Sequence, residues 1–368
     1  MTDEHPSTRA QREAVAEAFD RNLDPLAEYA APLAETGVDP FALFVTDVLS
    51  KRNIAPRTRE LFDTLFAQWR EHMATEGRHP ACPNQEHVIV FIEKERDKKG
   101  NAPATIKEKL RKLSQAYEYW QVEPSFPHPD DYNPFTLARE KVCFEATEQK
   151  KPPKIPLGKL RSFVAQVAMI RARAILSMQL KLGLRATELC NITLGELDIR
   201  KPSIRTHYQG LGAHPMLEGR PNAVYIPHDR RGNKSGNPRV LPIDKELQEL
   251  VSRWLRIRPN NGAPWLFLSQ CGNQLRKQRV NELWKDCFHP EYEESANHRA
   301  VTSHYGRHRF TTYWRVEQKL ERPLIKYMRG DRPDSRSVTD RDGIDEYIHT
   351  YYEDIEPIYR AKMFELYR

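Results

Sequence analysis

What the sequence lacks sets its first bounds. Cysteine is scarce: the 368 residues contain five, at Cys82, Cys143, Cys190, Cys271 and Cys287, odd in number and with no CxxC pair. That spacing argues against a disulfide scaffold or a zinc module and fits a reducing, cytoplasmic compartment. No apolar run approaches the ~18 residues needed to cross a bilayer. The first stretch, MTDEHPSTRAQREAVAEAFD, is polar and acidic, without the basic-then-apolar order of a secretory leader, so none is expected. There is no internal repeat and no low-complexity tract.

What is present is a globular composition with a polar surface: 39% hydrophobic residues, six Trp and 30% charged residues. The length suits two domains. A formal net charge of +7 favours an anionic partner such as nucleic acid.

Residues 1–38 read as one helical stretch and a Pro-broken connector, expected to be an extension outside any core. From Asp39 the helical spacing of apolar residues sharpens. Four segments, PFALFVTDVLSKR, APRTRELFDTLFAQWREHMATEG, CPNQEHVIVFIEKERDKKG and APATIKEKLRKLSQAYEYWQV, predict a helical module within 39–147. Pro56, Asn84 and Pro103 mark starts, and Gly77 and Gly100 mark stops. Its third and fourth helices carry Lys98, Lys99, Lys107, Lys109 and Arg111. These make either a solvated face, partly neutralised by Glu93, Glu95, Asp97 and Glu108, or a phosphate-contacting surface with salt-dependent binding.

The Pro- and Lys-rich stretch EQKKPPKIP, 148–156, cannot continue a helix and predicts a linker. Beyond it, 157–368 predicts mostly helix, with a hairpin formed by AVYIPH and RVLPI. The fold class expected for the whole chain is mainly α with a small antiparallel sheet.

Three charged segments stand out in the second region. In KLGLRATEL, Arg185 is read within an apolar helix, where a guanidinium needs a fixed partner, and Glu188 lies three residues on. In RRGNKSGNPRVLPI, Lys234 sits at a hairpin tip, by itself an ordinary exposed turn. In TSHYGRHRFTTYW, His304, Arg307 and His308 fall within five positions. His304 and His308 have a metal-like i, i+4 spacing, but residue 305 is Tyr where an HExxH site needs Glu, and Arg307 would repel a cation. No metal and no cofactor is expected.

In this order, and followed by a Tyr-rich C-terminal segment, the three segments resemble the catalytic domain of the tyrosine recombinase (phage integrase) family. Gly183 to Leu189 match its G-L-R-x-x-E-L context. Lys234, five residues before the Arg239 that opens RVLPI, falls on its hairpin lysine. His304, Arg307, His308, Phe310 and Thr312 match H-x-x-R-H-x-F-[AT]-T. The resemblance covers roughly 155–360, and the 39–147 module resembles the family's helical core-binding domain. It implies a site-specific recombinase or integrase that acts on double-stranded DNA. Such an enzyme attacks a backbone phosphate with a Tyr hydroxyl, giving a 3′-phosphotyrosyl enzyme and a free 5′-hydroxyl. It is expected with the nucleoid, monomeric when free and tetrameric on synapsed DNA.

In this reading Arg185 and Arg307 bind the phosphate, Lys234 on a mobile hairpin protonates the leaving oxygen, and His304 accepts a proton or donates to the phosphate. Glu188 and His308 support them. Two departures keep other readings open. The family follows its second box with G-H or G-W, whereas this chain has Gly330 and Asp331, and an ionised acid cannot donate to phosphate; His349 is one possible substitute. A polar insertion, 332–343, then leaves the nucleophile open among Tyr347, Tyr351 and Tyr352, with Tyr347 favoured and Tyr352 the alternative. The competing functions are a catalytically impaired DNA-binding relative and a DNA topoisomerase of the tyrosine class.

Overall fold

A computed structural model describes residues 8–52, 54–142, 144, 150–331 and 350–367. The chain divides into two compact units, Met1–Glu148 and Gln149–Arg368.

In the first unit the helices are α1 (Thr8–Ala18), α2 (Ala30–Glu35), α3 (Pro40–Phe44), α4 (Pro56–Thr75), α5 (Gln85–Glu93), α6 (Pro103–Val122) and α7 (Pro134–Lys141). Proline opens α4 and α6 at positions where a missing N–H costs nothing, and the Asn84 side chain accepts the His87 N–H at the start of α5. Gly77 and Gly100 leave two of these helices in the left-handed conformation. An aromatic core fills the interior: Phe41 stacks on Phe66 at 4.1 Å between ring centres, and the Trp69 and Trp120 indoles donate to the Pro80 and Pro40 carbonyls. The connector before Asp39 was expected to lie outside this core. It contributes to it instead: Leu26 is fully buried, and Asp24 pairs with Arg78 at 2.7 Å and accepts from Asn84 at 2.9 Å.

The second unit contains α8 (Leu157–Gln166), α9 (Ile170–Leu182), α10 (Ala186–Cys190), α11 (Pro202–Arg205), α12 (Lys245–Ile257), α13 (Lys277–Phe288), α14 (Ser303–Thr312), α15 (Arg322–Arg329) and α16 (Tyr352–Lys362). Strands β1 (Leu197–Asp198), β2 (Ala223–Ile226) and β3 (Arg239–Pro242) form an antiparallel sheet in that order, with Ile226 opposite Arg239. The expected hairpin is present, and β1 adds an edge strand too short to be legible as a period. Part of the expected linker also packs here, since Ile155 is buried and Lys151 bridges His298.

Helix α9 is the axle of this unit. It is buried on nearly every side because α12, α13 and α14 all pack on it. Its polar residues are therefore paired inside: Lys181 with Asp244 and Glu246, and Gln179 with the Trp284 indole. The sequence suggests one helix over 169–192, but the structure breaks it at Gly183, which takes a left-handed φ of 63°. A Cβ there would stand 2.6 Å from the Phe310 ring of α14. Gly183 is therefore both the cap of α9 and the clearance for α14, and the break aims Arg185 out of the helical register. Gly183→Ala is expected to lower stability by about 2 kcal/mol or more, read by urea unfolding of the full chain with Trp fluorescence.

Candidate active site

Arg185 is the residue before α10, not a member of a continuous helix, and this correction defines the site. Its backbone N–H donates to Glu188 Oε2 at 3.0 Å; its Nη1 donates to Glu188 Oε1 at 3.1 Å and to Ser235 Oγ at 2.8 Å. Glu188 has no exposed side-chain surface. On its far side Arg239 donates Nη2 to Glu188 Oε2 at 2.9 Å and Nη1 to Ser235 Oγ at 3.1 Å, and the Ser235 hydroxyl donates to Glu188 Oε1. Burial pushes the Glu188 carboxyl up, but Arg239, the Ser235 hydroxyl, the Arg185 amide and Arg307 outweigh it and hold the group at about 2.

Arg307 comes from α14, and its guanidinium is almost fully enclosed. Nη1 donates to the Gly183 carbonyl at 2.9 Å, and Nη2 donates to the Arg329 carbonyl at 2.9 Å and to Asp331 Oδ1 at 2.7 Å. Burial lowers its pKa to about 10, with Arg185 and Arg329 acting the same way against Asp331 and Glu188. It still carries its charge at neutral pH. Arg185 Nη2 lies 3.6 Å from the same Asp331 oxygen. Two guanidinium groups 122 residues apart in sequence therefore share one carboxylate oxygen.

Asp331 is delivered by the end of α15. Gly330 takes φ 65°, and its carbonyl accepts the Gly236 N–H of the hairpin loop at 2.8 Å. A Cβ on Gly330 would meet Arg239 Nη1 at 2.5 Å, so only glycine lets the α15 end and the hairpin close on each other here. Lys234, in that loop, is exposed and lines a cleft of about 830 Å³ with Arg185, Thr311, Arg329 and Asp331. The loop is anchored on both sides of the lysine. Arg230 pairs with Glu196, Asn233 is held by Asn191 at 2.8 Å, and Ser235 belongs to the Glu188 cluster.

His304 and His308 are exposed on α14, their rings edge to face with centres 4.6 Å apart. Partial desolvation, then the charges of His308, Arg307, Arg185 and Arg329, hold the His304 imidazole below its ordinary value. It is therefore largely neutral at pH 7. His308 is lowered by partial desolvation, then by the charges of Arg329, Arg299 and Arg307.

The tyrosines separate. Tyr347 and His349 lie outside the described residues. Tyr351 is 61% exposed at the start of α16. Tyr352 is buried with Leu217, Ala223 and Val240, on the face of β3 opposite Arg239, and burial raises its phenol well above its usual value.

In the first unit, the basic candidates are partly spoken for. Lys99 and Lys109 both hold the buried Glu95, at 2.8 and 2.6 Å, and Arg111 pairs with Glu108 at 2.7 Å. Lys98 and Lys107 are exposed, the latter with its ammonium 5.0 Å from the Phe144 ring centre.

Sequence reasoning missed Ser235 and the parts played by Arg239 and Arg329. Arg239 carried a usable signal, a charge opening an apolar strand, of the same kind that singled out Arg185. The Glu188 charge state is open to test. Its folded pKa lies below the unfolded value of about 4.3, so its contribution, about 3 kcal/mol, is complete above that pH and is lost as pH falls toward 2. Glu188→Gln should reduce stability at pH 7 by a similar amount, and should flatten the pH dependence of urea unfolding in that acid window.

The sequence model of the phage integrase family matches residues 158–327. Tyrosine recombinase XerA of Pyrococcus horikoshii is 26% identical over 191 residues, covering 50% of this chain and 57% of that protein. Tyrosine recombinase XerC of Pseudomonas putida is 31% identical over 114 residues, covering 30% of this chain and 29% of that protein. The chain thus spans less than two thirds of the length of either relative. Among solved structures, the Tn1549 transposon integrase in complex with a circular intermediate DNA matches with a TM-score of 0.58 at 18% identity, over 87% of this chain and 98% of that one. A lambda integrase tetramer bound to a Holliday junction matches with a TM-score of 0.57 at 13% identity, over 91% and 90%. At such identities these structures speak for the fold alone. Residues 158–327 thus match the phage integrase family domain, and the chain is similar to tyrosine recombinases over about half of its length.

Proposed function

We propose that the chain is a site-specific recombinase or integrase that cuts and rejoins double-stranded DNA through a 3′-phosphotyrosyl intermediate. The observation that carries this reading is the shared carboxylate oxygen of Asp331, which marks a seat for an anion between Arg185 and Arg307. Phosphoryl transfer needs charge stabilised on the non-bridging oxygens and a nucleophile held in line. Two guanidinium forks supply the first requirement without a metal. The tyrosine hydroxyl forms a bond to phosphorus as the bond to the 5′-oxygen breaks. Its proton goes to neutral His304, and Lys234 protonates the departing 5′-oxygen. Removing that phenolic proton at neutral pH costs about 4 kcal/mol before the nearby cations help. Rejoining reverses each transfer on a new strand.

Tyr347 is the favoured nucleophile in this reading; Tyr352 packs under Arg220, and the exposed Tyr351 is the other candidate that peptide mapping distinguishes. The first unit clamps the duplex, with exposed Lys98 and Lys107 meeting phosphates first and Lys99, Lys109 and Arg111 adding to the field. Assembly on synapsed DNA is tetrameric, a reading supported by the shared fold with the lambda integrase tetramer. A second reading, a catalytically impaired DNA-binding relative, draws on the same Asp331, since the carboxylate competes with phosphate for both arginines.

Covalent capture separates the readings. The full chain is incubated with nicked duplexes of randomised sequence, and adducts that survive denaturation are recovered and their peptide mapped. The recombinase reading predicts adducts at Tyr347, abolished by Tyr347→Phe, retained by Tyr352→Phe, and about 100-fold slower after Arg185→Ala or Arg307→Ala. Their complete absence supports the impaired relative. Capture without synapsis into tetramers supports a topoisomerase. The capture rate should fall only as pH drops below the ordinary histidine range near 6.5, because His304 must be neutral to accept the proton. His304→Gln should remove that acid limb.

A further inference from the structure

Among the described residues, Arg315, Arg322, Lys326 and Arg329 line the cleft without a part in the reaction proposed above, and of these Arg329 lies against Asp331. Arg329 ends α15 and lines the cleft with Arg185 and Lys234. Its Nε stands 2.8 Å from Asp331 Oδ2, while Arg307 Nη2 stands 2.7 Å from Oδ1. One aspartate therefore presents two guanidinium groups side by side, one from α14 and one from α15. The Arg329 carbonyl also accepts from Arg307 at 2.9 Å, so its main chain is locked to the same group. Its side chain keeps 29% of its surface exposed, whereas that of Arg307 keeps 3%.

Charge balance explains why a third guanidinium belongs here. Two carboxylates sit among the cations. Glu188 is matched by Arg239, which is wholly buried and faces no ligand. Asp331 has no such dedicated partner if Arg185 and Arg307 are to serve a phosphate. An aspartate in place of a His or Trp removes a hydrogen-bond donor and adds a negative charge. Arg329, immediately before Gly330, supplies a donor and offsets that charge.

We propose that Arg329 is a third phosphate-binding guanidinium, oriented by Asp331, and that this pair supplies the donor that position 331 alone cannot. The proposal rests on reading the cleft as the seat of a DNA phosphate. Asp331 keeps hold of Arg329 through Oδ2 when the phosphate takes the groups around Oδ1. The terminal nitrogens of Arg329 then reach a non-bridging oxygen from the α15 side. The residue is catalytic in the strict sense, since it touches the reacting group.

The test uses the full chain, wild type and Arg329→Gln, with Arg329→Lys as the charge-retaining control. Thermal unfolding first verifies that each variant folds; should Arg329→Gln fail to fold, Arg329→Lys is measured in its place. Inorganic phosphate titrated by calorimetry should bind about tenfold more weakly to Arg329→Gln. A duplex recovered by covalent capture is then made in two forms, with a phosphodiester or a neutral methylphosphonate at the cut position. Arg329→Gln should slow adduct formation about tenfold or more on the phosphodiester and hardly at all on the methylphosphonate, where the charge it meets is gone. Arg329→Lys should fall between. Equal capture by wild type and Arg329→Gln, or an equal loss on both duplexes as a purely structural arginine would give, overturns the proposal. If wild type forms no adduct but Arg329→Gln still weakens phosphate binding, the recombinase reading falls and the three-arginine anion site stands.

Discussion

Guanidinium groups packed together repel one another and lose hydration, so a protein that gathers several must build counter-charge among them. The second unit meets this constraint with Glu188. That carboxylate has no exposed side-chain surface and is held by Arg239 behind, Arg185 in front and Ser235 to the side. Removing either buried partner strands the other, at a cost of about 3–5 kcal/mol. Glu188 is thus a fixed anchor that sets where the Arg185 guanidinium can point, and Arg239 is the counter-ion that keeps it ionised.

The same cluster fastens together parts of the chain that are distant in sequence. Arg185 follows the break after α9, Ser235 and Arg239 come from the hairpin, Arg307 from α14, and Asp331 from the end of α15. The hairpin and α15 are joined through Gly236 and the Gly330 carbonyl, at a spacing that excludes a side chain on residue 330. Lys234 therefore projects from a loop whose neighbours are pinned. Its own side chain is exposed and lines the cleft.

Much of the architecture was legible because it rests on local signals. Prolines and Asn84 opened helices, glycines at 77 and 100 closed them, and alternation with turn chemistry gave β2 and β3. The break at Gly183 was not legible, since its cause is the ring of Phe310, more than a hundred residues away. Leu26 was assigned to an extension for a similar reason: one apolar residue in a Pro-broken connector has no period, and its burial is decided by tertiary packing. In the candidate site, Arg185, Lys234, His304 and Arg307 were singled out by motif order. Arg239 was passed over as a strand opener, and Asp331 was noticed only as a departure. That Asp331 bridges three arginines is a fact about distance, and no pattern within 302–331 encodes it. Of the tyrosine candidates, Tyr352 is buried and Tyr351 is exposed, while Tyr347 lies outside the described residues.

The central claim is that Arg185 and Arg307 form one receptor for a tetrahedral oxyanion. Its most direct test is a crystal structure of the full chain soaked in tungstate, with the metal located by anomalous scattering. The account predicts a tungstate whose oxygens meet both guanidinium groups, with the Asp331 carboxylate displaced toward Arg329. A tungstate bound elsewhere, with Asp331 still joining Arg185 and Arg307, would contradict it.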